Sequence, residues 1–166
     1  MKTDLSALIG GAENRIPLDT AFDLTGLTGD VVSGTASVSG AFENHSGYIE
    51  LCAEIRCRMQ VRCARCARVF GTERAFPVRC AVKVGGEELD DGECVCVPPD
   101  GEVDTDELFA GILLPLFPSR FLCSEDCRGL CPVCGRDLNT GSCGCGTRPV
   151  DPRLEKLRAL LEEDKK

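Results

Sequence analysis

The clearest pattern in the chain is a strict alternation that begins at Tyr48. Ile49, Leu51, Ala53, Ile55, Cys57, Met59, Val61 and Cys63 fall on one side of an extended backbone, and Glu50, Cys52, Glu54, Arg56, Arg58, Gln60 and Arg62 fall on the other. Successive side chains of a strand point to opposite faces, so a period of two predicts a long, half-buried antiparallel strand that carries Cys63 to its end. A weaker alternation runs through residues 31–46, with Val32, Gly34, Ala36, Val38 and Gly40 on one side, and Glu43-Asn44-His45-Ser46-Gly47 supplies a turn signal between the two. After the tight connection Cys63-Ala64-Arg65-Cys66, the residues Phe70, Thr72, Arg74, Phe76, Val78, Cys80, Val82 and Val84 alternate again as the return strand of a hairpin. Pro77 cannot donate to a ladder, which places this strand at a sheet edge.

The flanks are less regular. Ile16, Leu18, Phe22, Leu24 and Leu27 form a weak pattern that predicts a short strand near 16–18 and irregular chain after it. Gly85 to Glu93 reads as an acidic loop, and Cys94 to Val97 as a short strand ended by Pro98-Pro99. Leu108, Phe109, Ile112 and Leu113 have helical spacing behind Asp104-Thr105, with Asp106 and Glu107 in the first turn, where the helix dipole favours acids, and with Pro115 as the stop. Residues 118–147 are rich in turns. Asp151-Pro152 opens a second helix with an apolar stripe of Leu154, Leu157, Leu160 and Leu161. The pattern predicts an α+β fold: a mostly antiparallel β domain with one short helix over 1–117, then a cysteine-rich segment and a C-terminal helix over 118–166, the two making one compact unit.

Charge changes the picture in one place. The net charge of the 166 residues is −8, a poor starting point for binding phosphate backbones. Arg56, Arg58, Arg62, Arg65, Arg68, Arg74 and Arg79 nevertheless cluster against a single acid, Glu73, and ten acids without a base follow from Glu87 to Glu107. A basic strand face beside an acidic segment can contact nucleic acid or satisfy itself internally. The only histidine, His45, lies in a turn, and no Gly-rich phosphate loop is present, so catalysis has thin support.

The 13 cysteines carry most of the chemical information. An odd count excludes complete intramolecular pairing. The start MKTDLSALIGGAENR has an acid at Asp4 and no apolar signal region, and no run approaches the roughly 20 apolar residues of a membrane span. A cytoplasmic protein with reduced thiols is the expectation, and clustered thiols there more often hold metal than form disulfides. Cys131-Pro132-Val133-Cys134-Gly135 and Cys143-Gly144-Cys145-Gly146 are two thiol pairs on glycine-rich chain, the arrangement of a four-thiolate zinc site. A closed all-thiolate set points to structure and not to catalysis. Such an ion takes the place of a hydrophobic core where the sequence is polar. Cys123 and Cys127, just upstream, can displace one of these pairs or join Cys63 and Cys66 in a second site. Cys63 and Cys66 are alternatively a redox pair flanked by Arg65 and Arg68, or plain reduced thiols at a turn. Cys52, Cys57 and Cys80 read as small packing residues within strands, and Cys94 and Cys96 have no assigned role.

The segment LCSEDCRGLCPVCGRDLNTGSCGCGTRPVDPRLEKLRALL resembles the YceD family, the large ribosomal RNA subunit accumulation proteins. The resemblance rests on Cys123-x3-Cys127-x-Gly129-Leu130-Cys131-x2-Cys134-Gly135, on Leu138-Asn139, on Cys143-x-Cys145 and on Asp151-Pro152-Arg153-Leu154, with Cys63-x-Arg65-Cys66 upstream. It implies a role in accumulation or processing of large-subunit ribosomal RNA, hence in ribosome assembly, and with the closed thiolate set the expectation is a non-enzymatic factor. The implied partners are ribosomal RNA or ribosome-assembly and processing proteins, with no membrane and no small-molecule substrate. Arg56, Arg58, Arg62, Arg65 and Arg68 are the candidate RNA contacts. Two rival readings remain: a protein-interaction adaptor that never touches RNA, and a thiol redox protein using Cys63 and Cys66.

Overall fold

A computed structural model of the chain describes residues 2–85 and 93–145. The elements in order are β1 (Lys2–Asp4), α1 (Ser6–Ile9), β2 (Arg15–Asp23), β3 (Val31–His45), β4 (Tyr48–Arg62), β5 (Val69–Val84), β6 (Glu93–Val97), β7 (Glu102–Asp104) and α2 (Thr105–Leu116). Five strands form one sheet in the order β2-β3-β4-β5-β6, and β1 pairs with β7 in a separate two-stranded sheet. All pairs are antiparallel except β5 with β6, which run parallel.

The long meander follows from the sequence alternation. In β4 the side chains of Ile49, Leu51, Ile55, Cys57, Met59 and Val61 are buried, while Arg56, Arg58, Gln60 and Arg62 are exposed. The turn between β3 and β4 is shorter than its polar sequence suggests. His45 pairs with Tyr48, leaving Ser46 and Gly47 at φ 59° and 99°, the left-handed geometry that lets a two-residue loop follow the twist of its strands. On β3 the expected apolar face is interrupted. An irregularity between Val31 and Ser33 buries Val31 and leaves Val32 exposed, because one extra residue shifts the alternation. Gly40 faces Ala53 across the β3–β4 ladder, and a Cβ there would overlap the Cys52 carbonyl.

The amino-terminal flank is more ordered than its weak pattern predicts. β2 runs nine residues where three were expected, because the whole of it pairs with β3 from Arg15↔Glu43 to Asp23↔Thr35. The short β1 and α1 were not predicted at all. Beyond β4, β5 meets β6 only over 81–84, so Pro77 lies where β5 has no second neighbour among the described residues. α2 is capped by Asp104, whose carboxylate accepts from the backbone N–H of Asp106 and Glu107 and is thereby held below its ordinary pKa. The helix runs one residue past Pro115, which sits in its last turn. The expected helix after Asp151 and most of the acidic run at 87–92 lie outside the described residues.

The chain divides into two compact units, Met1–Ala64 with Arg68–Cys123, and Arg65–Ala67 with Ser124–Lys166. The first holds the apolar core. α2 buries Phe109, Ile112 and Leu113 in the same cluster as Phe42, Leu51 and Ile55, each such side chain contributing roughly 2 kcal/mol by leaving water. Phe117 packs at a tilt against Phe76, 5.8 Å between ring centres, and edge-to-face against Phe121 at 6.1 Å, which fixes the chain leaving α2. The second unit is held mainly by turns and backbone hydrogen bonds around its cysteines.

Candidate metal centres

Two groups of four cysteines have sulfurs mutually within 4.8 Å: Cys63, Cys66, Cys123 and Cys127, and Cys131, Cys134, Cys143 and Cys145. A tetrahedral ion with metal–sulfur bonds of about 2.3 Å needs sulfurs about 3.8 Å apart, a spacing that lies inside this limit. Each group could hold a metal ion.

In the first group, Cys63 follows directly on β4, and its N–H donates to the Arg68 carbonyl at 2.9 Å. The N–H of Ala64 donates to the Phe121 carbonyl at 2.9 Å, and the N–H of Cys123 points at the Cys63 sulfur at 3.5 Å. The chain that Phe117 and Phe121 pin to the core thus brings Cys123 to the end of β4. The turn after Cys66 closes through Ala67 at φ 57°, an unusual conformation for a residue with a Cβ. Cys63, Cys66 and Cys127 are buried and Cys123 is half-buried.

In the second group the sequence Cys131-Pro132-Val133-Cys134-Gly135 forms a tight knuckle. Gly135 has φ 72°, its N–H donates to the Cys131 carbonyl at 2.9 Å, and the Cys131 N–H donates to the Arg136 carbonyl at 2.8 Å. The N–H groups of Cys134 and Val133 converge on the Cys131 sulfur and lower its pKa to about 6, with a further hydrogen bond from Cys143. Cys145, hydrogen-bonded to Cys134, is pushed up to about 12. Without a cation one thiol of the group ionises easily and another resists. A divalent ion removes that conflict by stabilising every thiolate at once. Cys134 is exposed and Cys143 half-buried, so this group is more open than the first.

The residues outside both groups divide in kind. Cys57 is buried, and burial raises its pKa to about 11. Cys52 is shifted up by burial and by the Glu50 carboxylate that its thiol meets at 3.4 Å. Neither can act as a ready thiolate at neutral pH. Cys80 is disulfide-bonded as well as packed against the core, which corrects its reading as a simple packing thiol. His45 lies 3.7 Å from Glu43 and 3.9 Å from Glu50 on the sheet surface.

The five candidate RNA-contacting arginines sit in different settings. Arg56 pairs with Glu54 at 2.7 Å and Arg58 with Glu73 at 3.0 Å, so these two are matched by carboxylates of their own sheet. Arg65 donates to the carbonyls of Cys127 at 2.9 Å and Glu125 at 3.1 Å. Arg62 and Arg68 are exposed and have no ion-pair partner among the described residues; Arg74, on β5, shares that state. Sequence reasoning missed Asn139, whose side-chain amide donates to the Cys127 sulfur at 3.5 Å. Its only sequence signal is its place in the Leu138-Asn139 pair between the two cysteine pairs.

No helix among the described residues is long and apolar enough to cross a membrane. The model of one protein family, described as "Large ribosomal RNA subunit accumulation protein YceD", matches residues 51–161. Neither the curated proteins nor the solved structures contain a match.

Proposed function

The chain belongs to the YceD family, and from that premise we propose that it is a non-enzymatic cytoplasmic factor in the accumulation of large-subunit ribosomal RNA, built on two structural zinc sites. The observation that carries the reading is that the matched region, 51–161, contains both four-cysteine groups. Four thiolates and no open position favour zinc in a structural role. The grouping of Cys63 and Cys66 with Cys123 and Cys127 favours a ligand role for that pair over a redox one.

Arg62 and Arg68 are the residues best placed to meet RNA phosphates, with Arg56 and Arg58 able to exchange exposed carboxylate partners for phosphate at little cost. Arg65 serves the fold through its carbonyl contacts. The test is filter binding of zinc-loaded protein to large-subunit ribosomal RNA across a salt series. Affinity that falls steeply with salt is the expected result, because each phosphate contact releases counterions.

The net charge of −8 and the pairing of Arg56 and Arg58 within their own sheet favour a second reading, an adaptor for basic assembly proteins. Absent or salt-insensitive RNA binding would select it.

A further inference from the structure

Asn139 belongs to the loop that joins the two cysteine pairs of the Cys131, Cys134, Cys143 and Cys145 group, yet its side chain serves a cysteine of the other group. Its Nδ2 donates to Asp137 Oδ1 at 2.7 Å and to Cys127 Sγ at 3.5 Å, and its Oδ1 accepts from the Arg128 N–H at 2.8 Å. Both amide hydrogens and the carbonyl oxygen are therefore used, and the orientation of the amide is fixed. The loop beneath it is held by the Leu138 N–H on the Gly129 carbonyl at 2.9 Å, by the Leu130↔Asp137 bridge, and by the Asn139 N–H on Asp137 Oδ1 at 2.9 Å. What closes the loop from the other side is the convergence of its four cysteines.

Resting on the metal reading above, we propose that Asn139 is a positioning residue for the metal ligand Cys127, carried on the loop that the second metal closes, so that filling the second centre strengthens the hold of the first on its ion. The physical route is an N–H to sulfur hydrogen bond. It draws charge from a ligating thiolate, fixes its direction, and makes it a better-placed ligand. Outer partners of this kind commonly change metal affinity about 10- to 100-fold. Asn139 gives that partner a second function, because its position depends on a loop that is itself organised by metal. The more open second group becomes the controlling site, and the buried first group the one that responds.

The experiment uses the full chain loaded with Co2+ and challenged with excess chelator. Two equivalents and two release phases are expected. Cys63→Ser removes the phase of the first group and Cys134→Ser that of the second, which assigns them. Asn139→Ala should accelerate the first-group phase about tenfold and shift the thiolate-to-cobalt charge-transfer band of that group to lower energy. The second-group phase should stay unchanged. Asn139→Asp keeps the acceptor for the Arg128 N–H but sets a carboxylate against Asp137 and the Cys127 sulfur, and should accelerate the first-group phase more than Asn139→Ala does. Cys134→Ser should also hasten the remaining first-group phase. First-group release unchanged in both Asn139 variants overturns the proposal, as does equal acceleration of both phases together with loss of the circular-dichroism signal. Failure of the wild-type chain to take up cobalt at all overturns the metal reading itself, a result distinct from either.

Discussion

The backbone N–H of Val133 meets the sulfur of Cys131 at 3.4 Å, so this thiol is served by a fixed donor before any ion arrives. With the N–H of Cys134 as the larger contributor, its pKa is lowered to about 6 from 9.0. A folded value below the unfolded one means that ionised Cys131 stabilises the folded knuckle. That stabilisation is complete above pH 9.0 and is lost as the pH falls through about 6. Cys145 has the opposite sign: its protonated form stabilises the metal-free fold below pH 9.0, and the effect is lost as the pH rises through about 12.

The consequence is countable. In the Cys63→Ser protein, where only the second group binds, Cys131 is already a thiolate at pH 7. Zinc uptake should then release about three protons per ion and not four. Calorimetry in buffers of different ionisation enthalpy reads this number directly. A value of four would show that Cys131 is an ordinary thiol.

Cys66-Ala67 and Cys134-Gly135 occupy the same position after a Cys-x2-Cys turn, with φ 57° at Ala67 and 72° at Gly135. A side chain in this left-handed region costs an L-residue roughly 1–2 kcal/mol, part of which glycine gives back through unfolded-chain entropy. Ala67→Gly should therefore stabilise the protein by about 0.5–1 kcal/mol, and Gly135→Ala should destabilise it by about 1 kcal/mol. Urea midpoints at constant slope and fixed zinc concentration measure both. Changes of equal sign would disprove the equivalence of the two turns.

Gly40 and Gly71 test the sheet in the same way. A Cβ at Gly40 would lie 2.5 Å from Ala53 Cα and overlap the Cys52 carbonyl, which is backbone and cannot move cheaply. At Gly71 it would meet only the end of the Gln60 side chain, at 3.3 Å. Gly40→Ala should cost about 3 kcal/mol, at the upper end of overpacking. Gly71→Ala should change stability by less than about 0.5 kcal/mol. Thermal unfolding of the two variants side by side measures this difference, and equal midpoints would show that β3 and β4 are not in close contact at Gly40.

The strand from Tyr48 to Arg62 was legible because burial on one face alone writes a period of two into the sequence. β2 was not, since Pro17, Asp19 and Thr20 blur its pattern and its length is set by pairing with β3, a long-range interaction that local sequence does not encode. The knuckle at Cys131–Gly135 was readable from its spacing and glycine. The grouping of Cys63 and Cys66 with Cys123 and Cys127 remained one choice among several. It depends on the packing of Phe117 against Phe76 and on the Ala64–Phe121 hydrogen bond, contacts between residues far apart in the chain. Asn139 was invisible as a sulfur partner for the same reason: a single polar residue in a loop announces no target.

The arginines make the last test, and their surroundings sort them. Among the described residues Arg62 and Arg68 have no carboxylate to give up, Arg56 and Arg58 must first leave Glu54 and Glu73, and Arg65 donates to two carbonyls. If RNA is the ligand, Arg62→Ala and Arg68→Ala should each lower the slope of log affinity against log salt by about 1, with stability changed by less than about 0.5 kcal/mol. Glu73→Gln should strengthen RNA binding slightly by freeing Arg58, and stability should hardly move, because an exposed pair of this kind contributes between about 0 and 1 kcal/mol. Arg65→Ala should do the reverse of Arg62→Ala: lower the stability of the zinc-loaded protein by about 1 kcal/mol, mainly through the half-buried Cys127 carbonyl that it leaves, with the salt slope retained in the folded fraction. Filter binding and urea unfolding on the same preparations separate the two classes. A salt slope indifferent to Arg62 and Arg68 would transfer the case to a protein partner.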